Sequence, residues 1–529
     1  MKHMALAGMM LAAATLAGVG QALAQKQGGT LRVYQRENPP SASILEEATI
    51  STAFPFSAVF NNLVKFDPQK QQEGPDTIVP ELAESWTVDD VGTTLTFKLR
   101  QGVKWHDGKP FTAKDVVCTF QLIDGTVPGM RKSPRKIWFD NVEKVIANSD
   151  TEVSFHLKAR QPSLLVLLAS GLTPIYPCHV SARDMRTNPI GTGPFKLAEW
   201  RSNQSIKLVR NPDYWKKGFP YLDGIDFTII KSRSTRVLAF IAGEFDLSTV
   251  DDITIPLLRD VAARAPTAVC SLNAAGTYAN LMVNRTEPPF DNPRIRRAMM
   301  LTIDRKAFNE IMGEGKLGIG GAMMPLPDGR WGMPSEVLEQ QPGYARDVEK
   351  SRAEGREIME SLGYTADKPL RIKVTTRSLD SYKDAAVILI DHLRAIHIAG
   401  ELQVVESSVW YNLMQKTDYK VALNVTGVGV DDPDANLVEN FLCKSERNFT
   451  HYCDKDIDRM ILDQSQETDM EKRKHTVWEI EKALIADAAR PVIYHSRGGT
   501  CWYPKVKGIV RHTNAIYNQW RFEDVWLDN

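Results

Sequence analysis

Residues 421–458, VALNVTGVGVDDPDANLVENFLCKSERNFTHYCDKDID, hold the densest set of chemically capable side chains in the chain. A strand expected over 420–425 breaks at Gly427 and Gly429, and three carboxylates follow around Pro433: Asp431, Asp432 and Asp434. Strand end, glycine-loosened turn and polar cluster form the layout in which an open sheet offers a ligand its backbone and side chains. The same residues also suit a solvated acidic loop tied by the pair Cys443 and Cys453. Cys443, His451 and Cys453 have a zinc-like spacing but no evident fourth ligand. The expectation there is a disulfide and no metal.

Other chemical motifs fail on their context. GVKWHDGKPF (102–111) approaches a phosphate-binding loop, but its glycines are one residue too far apart and Pro follows the Lys where Ser or Thr is needed. GEGKLG (313–318) fits a dinucleotide fingerprint, yet a helix rather than a strand precedes it. GxSxG, HExxH and CxxC do not occur, and the ten histidines are scattered. Nothing here organises a catalytic centre, and no cofactor is expected.

With 529 residues the chain is long enough for two or three domains with large cores. Its 65 basic and 65 acidic side chains balance to zero, which lacks the cationic footprint of a nucleic-acid or anionic-membrane binder. Residues 1–24 read as a secretory leader: Lys2 and His3, an apolar run over 4–20, then Ala22-Leu23-Ala24 as a cleavage site. As a membrane span this run is short and weakly hydrophobic. No cysteine follows it and no twin arginine precedes it, so the expected product is exported and not lipid-anchored. Export makes an even number of cysteines read as disulfides. Cys443–Cys453 is the safest pair, while Cys118, Cys178, Cys270 and Cys501 allow three connectivities.

The elements that must position these groups change style along the chain. Up to about residue 269 it reads as mixed strand and helix. Thr94–Leu99 alternates with Leu95, Phe97 and Leu99 inward, and Thr112 with Asp115 boxes the start of a helix. From 294 onward, helices over 294–312, 347–362 and 382–396 alternate with strands over 370–376 and 401–407, implying an α/β domain with its own sheet. Thr468 and Glu471 are expected to box a helix running to Pro491. The last segment returns to strand and turn. This order predicts a second domain inserted into the first, joined by two crossing strands near 270–284 and 491–496.

Four segments in fixed order resemble a known family: 79–117 (VPELAESWTVDDVGTTLTFKLRQGVKWHDGKPFTAKDVV), 191–215 (GTGPFKLAEWRSNQSIKLVRNPDYW), 288–308 (PPFDNPRIRRAMMLTIDRKAF) and 448–461 (NFTHYCDKDIDRMI). They are similar to the large extracytoplasmic solute-binding proteins of peptide/nickel-type ABC importers. The resemblance implies an α/β bilobal clam-shell with the second lobe inserted into the first. Lobe I would take 25–272, in two subdomains, with a return segment 491–529; lobe II would take 273–490. It implies periplasmic capture of a solute by a monomer, and delivery to permease subunits in the inner membrane. Family members bind di- and oligopeptides, nickel chelates, haem, opines, glutathione and oligosaccharides, so fold does not name the cargo.

One departure from the peptide binders matters. They place an aspartate, four residues before the loop's Pro, against the peptide ammonium; here that position is Gly429, and a Trp three residues earlier is Thr426. An ammonium buried without its partner loses on the order of 2–5 kcal/mol. Asp431 is the nearest substitute. Arg377, at the end of the 370–376 strand, matches the arginine that relatives use for the ligand carboxylate, although a plain salt bridge fits equally. Trp410 opens the next helix as cleft wall or as core. The expected ligand set is therefore Arg377, Trp410, Thr426, Gly427, Gly429 and Asp431. The expected cargo is a short peptide or peptide-like carboxylate, followed by an opine, a sugar conjugate or a metal chelate. An exported hydrolase and a periplasmic chaperone are the alternatives of a different class.

Overall fold

The computed structural model describes residues 25–528; the leader reading falls on 1–24, outside them. Two sheets build the first lobe. In one, Thr30–Gln35 pairs in parallel with Gly224–Ile229, which continues antiparallel to Ser205–Arg210 and Phe195–Arg201. The other is antiparallel, in the order Ala83–Val88, Thr94–Leu99, Glu152–Leu157, Val142–Ser149. The expected alternation holds in it: Leu95, Phe97 and Leu99 are buried, and Phe97 meets Phe155 edge to face. The capping box also forms, with the Thr112 amide donating to Asp115 at 2.9 Å ahead of the helix Ala113–Asp124.

A five-stranded sheet carries the second lobe: Ile398–Val405, Leu370–Arg377, Val421–Gly427, Val269–Val283, Val492–Trp502. The first three run parallel and the last two, antiparallel to each other, are the crossing strands. Val269–Val283 lies where the first crossing strand is expected, near 270–284, whereas Val492–Trp502 runs well beyond the expected 491–496. The first half of Val269–Val283 pairs only with Val492–Trp502, and its second half also pairs with Val421–Gly427. The pairing shifts register between Ala274 and Tyr278, where Gly276 adopts φ 61° under the Asn514 carbonyl. After the second crossing strand the chain returns to the first lobe: Glu523 takes ion pairs from Lys65 and Lys216, and Arg521 donates to the Asn62 side chain. The second lobe is thus inserted into the first.

Three local expectations need correcting. The helix expected over 294–312 is two helices, Pro293–Leu301 and Arg305–Gly313, because Asp304 caps the second by accepting the Ala307 amide at 2.8 Å. The long helix Met470–Ala486 is capped by Asp469, which accepts the Glu471 and Lys472 amides, and not by Thr468. The strand expected over 401–407 is Ile398–Val405, and Ser407 already opens the next helix.

Cys443 pairs with Cys453, and the other four cysteines form Cys118–Cys178 and Cys270–Cys501, the latter between directly opposite positions of the crossing strands. Opening Cys443–Cys453, whose partners are 10 residues apart, is expected to cost about 2.7 kcal/mol of unfolding free energy by loop-closure entropy. Urea denaturation of C443S/C453S measures it, and an unshifted midpoint contradicts it.

The long helix also buries a carboxyl group. Glu481 accepts the Met323 amide at 2.7 Å, but its second oxygen has no partner, and burial pushes its pKa up to about 8 from the ordinary 4.5. A folded pKa above the unfolded one means that the native state keeps a proton the unfolded chain releases across that window. Stability is therefore lost as pH rises between about 4.5 and 8. Against a Glu481→Gln variant, the native protein is expected to lose on the order of 1.4 kcal/mol per pH unit across this range. Parallel stability–pH curves for the two proteins would contradict that.

Candidate functional site

A cavity of about 120 Å³ lies between the lobes. The crossing strands floor it through Thr277, Ser496 and Gly498; the first lobe contributes Arg36, Thr49 and Asp251 to one wall. The second lobe faces these with the C-terminal ends of its parallel strands, through Arg377 and Gly427, and with Tyr382 and Tyr411 from the helices that follow. Strand ends of an α/β sheet are where side chains and free backbone converge on a ligand.

Arg377 stands on this wall but is already engaged. Its Nη2 donates to Glu37 at 2.9 Å, Nε and Nη2 donate to Ser407 Oγ at 2.9 and 2.6 Å, and Nη1 donates to the Tyr382 hydroxyl at 3.1 Å. Its side chain is 3% exposed. Burial opposes the charge, yet Tyr382 and Glu37 hold its pKa above the usual arginine value. Burial likewise disfavours the Glu37 carboxylate, and Arg377, Arg36 and the Ser407 and Ser51 hydroxyls overcome it, so its pKa lies below the usual value. Glu37 follows the first strand of lobe I, while Arg377 ends a strand of lobe II. The pair therefore bridges the cleft.

Of the other residues expected at a ligand, only Gly427 lines the cavity; any side chain there would run into the Tyr517 hydroxyl. Trp410 lies fully buried among Met282, Met414 and Phe449, and its helical neighbour Tyr411 takes the cavity position. Thr426 is fully buried and does not line the cavity; its Oγ1 accepts from Asn280 at 2.9 Å, Arg490 at 2.6 Å and the cavity-lining Asn424 at 3.2 Å. Gly429 packs under Trp138 and Leu172, so an aspartate there would meet an aromatic ring rather than a solute. Its carbonyl accepts from Asn518 at 3.1 Å.

Asp431 is a correction to the expected substitution. It lies outside the main cavity, accepting the Arg330 amide at 3.0 Å and the Asn514 side chain at 3.2 Å, and burial pushes its pKa up to about 7. Asp432 takes two hydrogen bonds from Arg473 at 2.8 and 3.0 Å. Asp434 accepts from Gln464 and Ser465, both at 2.6 Å, and from Ser163 of the first lobe. Val430, Leu437 and Phe441 join the same apolar cluster as Trp138 and Leu172. The segment after Gly427 thus binds the first lobe, Asp431 and Asp434 taking part in that contact while Arg473 holds Asp432 within the second lobe.

Among the cavity groups that escaped the sequence reading are Arg36 and Asp251. The visible signals were a cation directly after the first strand and the acidic pair Asp251-Asp252. Five arginines line the cavity (Arg36, Arg233, Arg377, Arg447, Arg497) against two acids, Asp251 and Asp252. Arg447 pairs with Glu439 at 2.6 Å, Arg497 with Asp328, and Asp252 with Arg236 at 2.8 Å. Arg36 has no hydrogen bond or ion pair among the described residues, and its Nε is buried without a partner. Arg36 is thus the cavity arginine left free for a carboxylate, the other four having acidic partners.

The sequence model of the bacterial extracellular solute-binding proteins, family 5 Middle, matches residues 77–448. The chain belongs to this family. Family 5 consists of substrate-binding proteins, and this member's two lobes enclose a cavity of the kind such a role needs. Di/tripeptide-binding protein 2 of Pseudomonas aeruginosa (strain UCBPP-PA14) is 27% identical over 526 residues, covering 91% of this chain and 93% of the relative. Among solved structures, the periplasmic binding protein DppA of Helicobacter pylori, in complex with the peptide STSA, matches with TM-score 0.84 and 22% identity, covering 95% of this chain and 99% of that one. AgaA of A. tumefacien R10, in complex with agropinic acid, matches with TM-score 0.81 and 22% identity, again covering 95% and 99%. These matches show the fold: a bilobal periplasmic-binding-protein clam-shell.

Proposed function

We propose that this family-5 protein is exported through its residue 1–24 leader without a lipid anchor, and captures a small carboxylate-bearing solute as a monomer. In first place the solute is a short peptide or peptide-like molecule, which the protein delivers to ABC importer permease subunits. The observation that carries this is Arg36, which lines the interlobe cavity with no hydrogen bond or ion pair among the described residues. The cavity's volume of about 120 Å³ is below the roughly 300–1,000 Å³ of drug-sized ligand sites, which points to a small solute. The di/tripeptide-binding relative and the agropinic-acid-bound neighbour support a carboxylated solute of that size.

Closure is proposed to pivot on the crossing strands, with 25–272 and 491–529 as one body and 273–490 as the other. Arg377 and Gly427 keep a proposed role beside the solute; Trp410, Thr426, Gly429 and Asp431 are proposed to support the wall from behind. Titration calorimetry against dipeptides, tripeptides and opines tests the reading, with each carboxylate compared with its amide. Tight binding to a carboxylate, weakened at least about tenfold by amidation, is expected. Equal affinity for acid and amide, or binding of neutral sugars alone, would overturn it.

A further inference from the structure

We infer that the solute is zwitterionic and is oriented by the first lobe, its ammonium group on Asp251 and its carboxylate on Arg36. The inference rests on the capture role proposed above. Four observations carry it. Arg36 lines the cavity, half-buried, with no hydrogen bond or ion pair among the described residues. Asp251 lines the same cavity with a side chain only 8% exposed; Oδ1 accepts from Arg511 at 3.0 Å, whereas Oδ2 is buried with no partner. An unpaired carboxylate oxygen in a buried setting is costly, so a ligand donor there restores what folding left unmet.

The backbone is shaped to hold Asp251 in place. Its φ is 50°, a left-handed conformation that aspartate tolerates better than most residues. Its amide donates to Thr500 Oγ1 at 3.1 Å. Gly498 of the second crossing strand leaves room for it, since a Cβ at 498 would come within 2.5 Å of the Asp251 Cβ. Strain of this sort persists at sites that the surrounding structure over-determines.

The remaining charges of the cavity are already matched. Arg377 has Glu37, Arg447 has Glu439, Arg497 has Asp328 and Asp252 has Arg236; Arg233 lies 3.8–3.9 Å from Asp384 and Asp380. One unmatched cation and one unmatched carboxylate oxygen are what a zwitterion complements. Burial, only partly opposed by Arg511 and Arg36, leaves the Asp251 carboxyl pushed up to about 6. Placing the ammonium acceptor at Asp251 also accounts for a glycine at 429, which faces Trp138 instead of the solute.

The test is calorimetry of the full mature protein with Ala-Ala, N-acetyl-Ala-Ala, Ala-Ala-amide, a zwitterionic opine and the amine-free dicarboxylate glutarate. In the native protein, acetylation and amidation of the bound zwitterion are each expected to weaken binding by roughly thirtyfold or more. In Asp251→Asn the acetylation penalty shrinks to roughly twofold, and in Arg36→Gln the amidation penalty does so. Circular dichroism melts check that both variants fold; if either does not, the native-protein arms still decide. Ala-Ala or opine binding that is indifferent to acetylation, or acetylation penalties equal in native protein and Asp251→Asn, overturns the inference and leaves the capture of a carboxylate standing. Glutarate bound as tightly as the zwitterions does the same. Binding of none of these solutes overturns both.

Discussion

Replacing Arg377 by alanine lowers the unfolding free energy by about 3–5 kcal/mol, the cost of leaving a buried partner charge uncompensated. Glu37 is 6% exposed and would keep the Ser51 and Ser407 hydroxyls and the charge of Arg36, but no ion pair. Because Glu37 and Arg377 sit on opposite lobes, the lost pair also favours separation of the lobes. A closed population reduced a hundredfold lowers apparent affinity by the same factor once the open form dominates. The effect is thus expected to be at least about tenfold on binding, even with Arg36 as the carboxylate anchor. Denaturant unfolding and small-angle scattering of the ligand-free variant read the two parts separately. The double replacement Glu37→Gln with Arg377→Met is expected to recover much of the stability, since removing both members of a buried pair is often neutral. A single variant as stable as the native protein would reduce Arg377 to a ligand contact alone.

The second large effect is expected at Arg473. Its guanidinium holds Asp432 through two hydrogen bonds, stands 3.3 Å from Asp434, and lies over the Trp331 ring at 4.7 Å. Burial raises the Asp432 pKa and Arg473 opposes that rise, so without the cation the acid must take up a proton or stay charged in a dry site. Arg473→Met is expected to cost about 3–5 kcal/mol. The loss should be local first: amide exchange is expected to quicken through residues 428–438, which hold the first lobe through Ser163, Asn514 and Asn518. A cost below about 1 kcal/mol, typical of an exposed ion pair, with unchanged exchange contradicts this.

What could be read in the sequence follows from how local each signal is. The alternation of Leu95, Phe97 and Leu99, the Thr112–Asp115 box and the ten-residue Cys443–Cys453 loop depend on near neighbours, and the structure shows all three. The inserted lobe was legible from a change of style and from the family resemblance. The wall of the site was not. Trp410 and Tyr411 differ by one step around a helix, and which of them faces the cleft depends on packing against Phe449 and Met282. Arg377 was found at its strand end, but its partner Glu37 lies 340 positions away. The carboxylates after Gly429 looked like a ligand cluster because no local pattern shows that Arg473, Ser163 and Asn514 converge on them. Arg36 and Asp251 carry no motif; only the fold reveals that Arg36 and one oxygen of Asp251 are left without a partner.

The most direct measurement is native mass spectrometry of the protein purified from a periplasmic extract without added ligand, followed by denaturation and identification of what is released. The expected result is a one-to-one complex that frees an intact, small, carboxylate-bearing solute. Release of a solute with no carboxylate, or conversion of a bound peptide into fragments over time, would contradict capture of a carboxylate between the lobes.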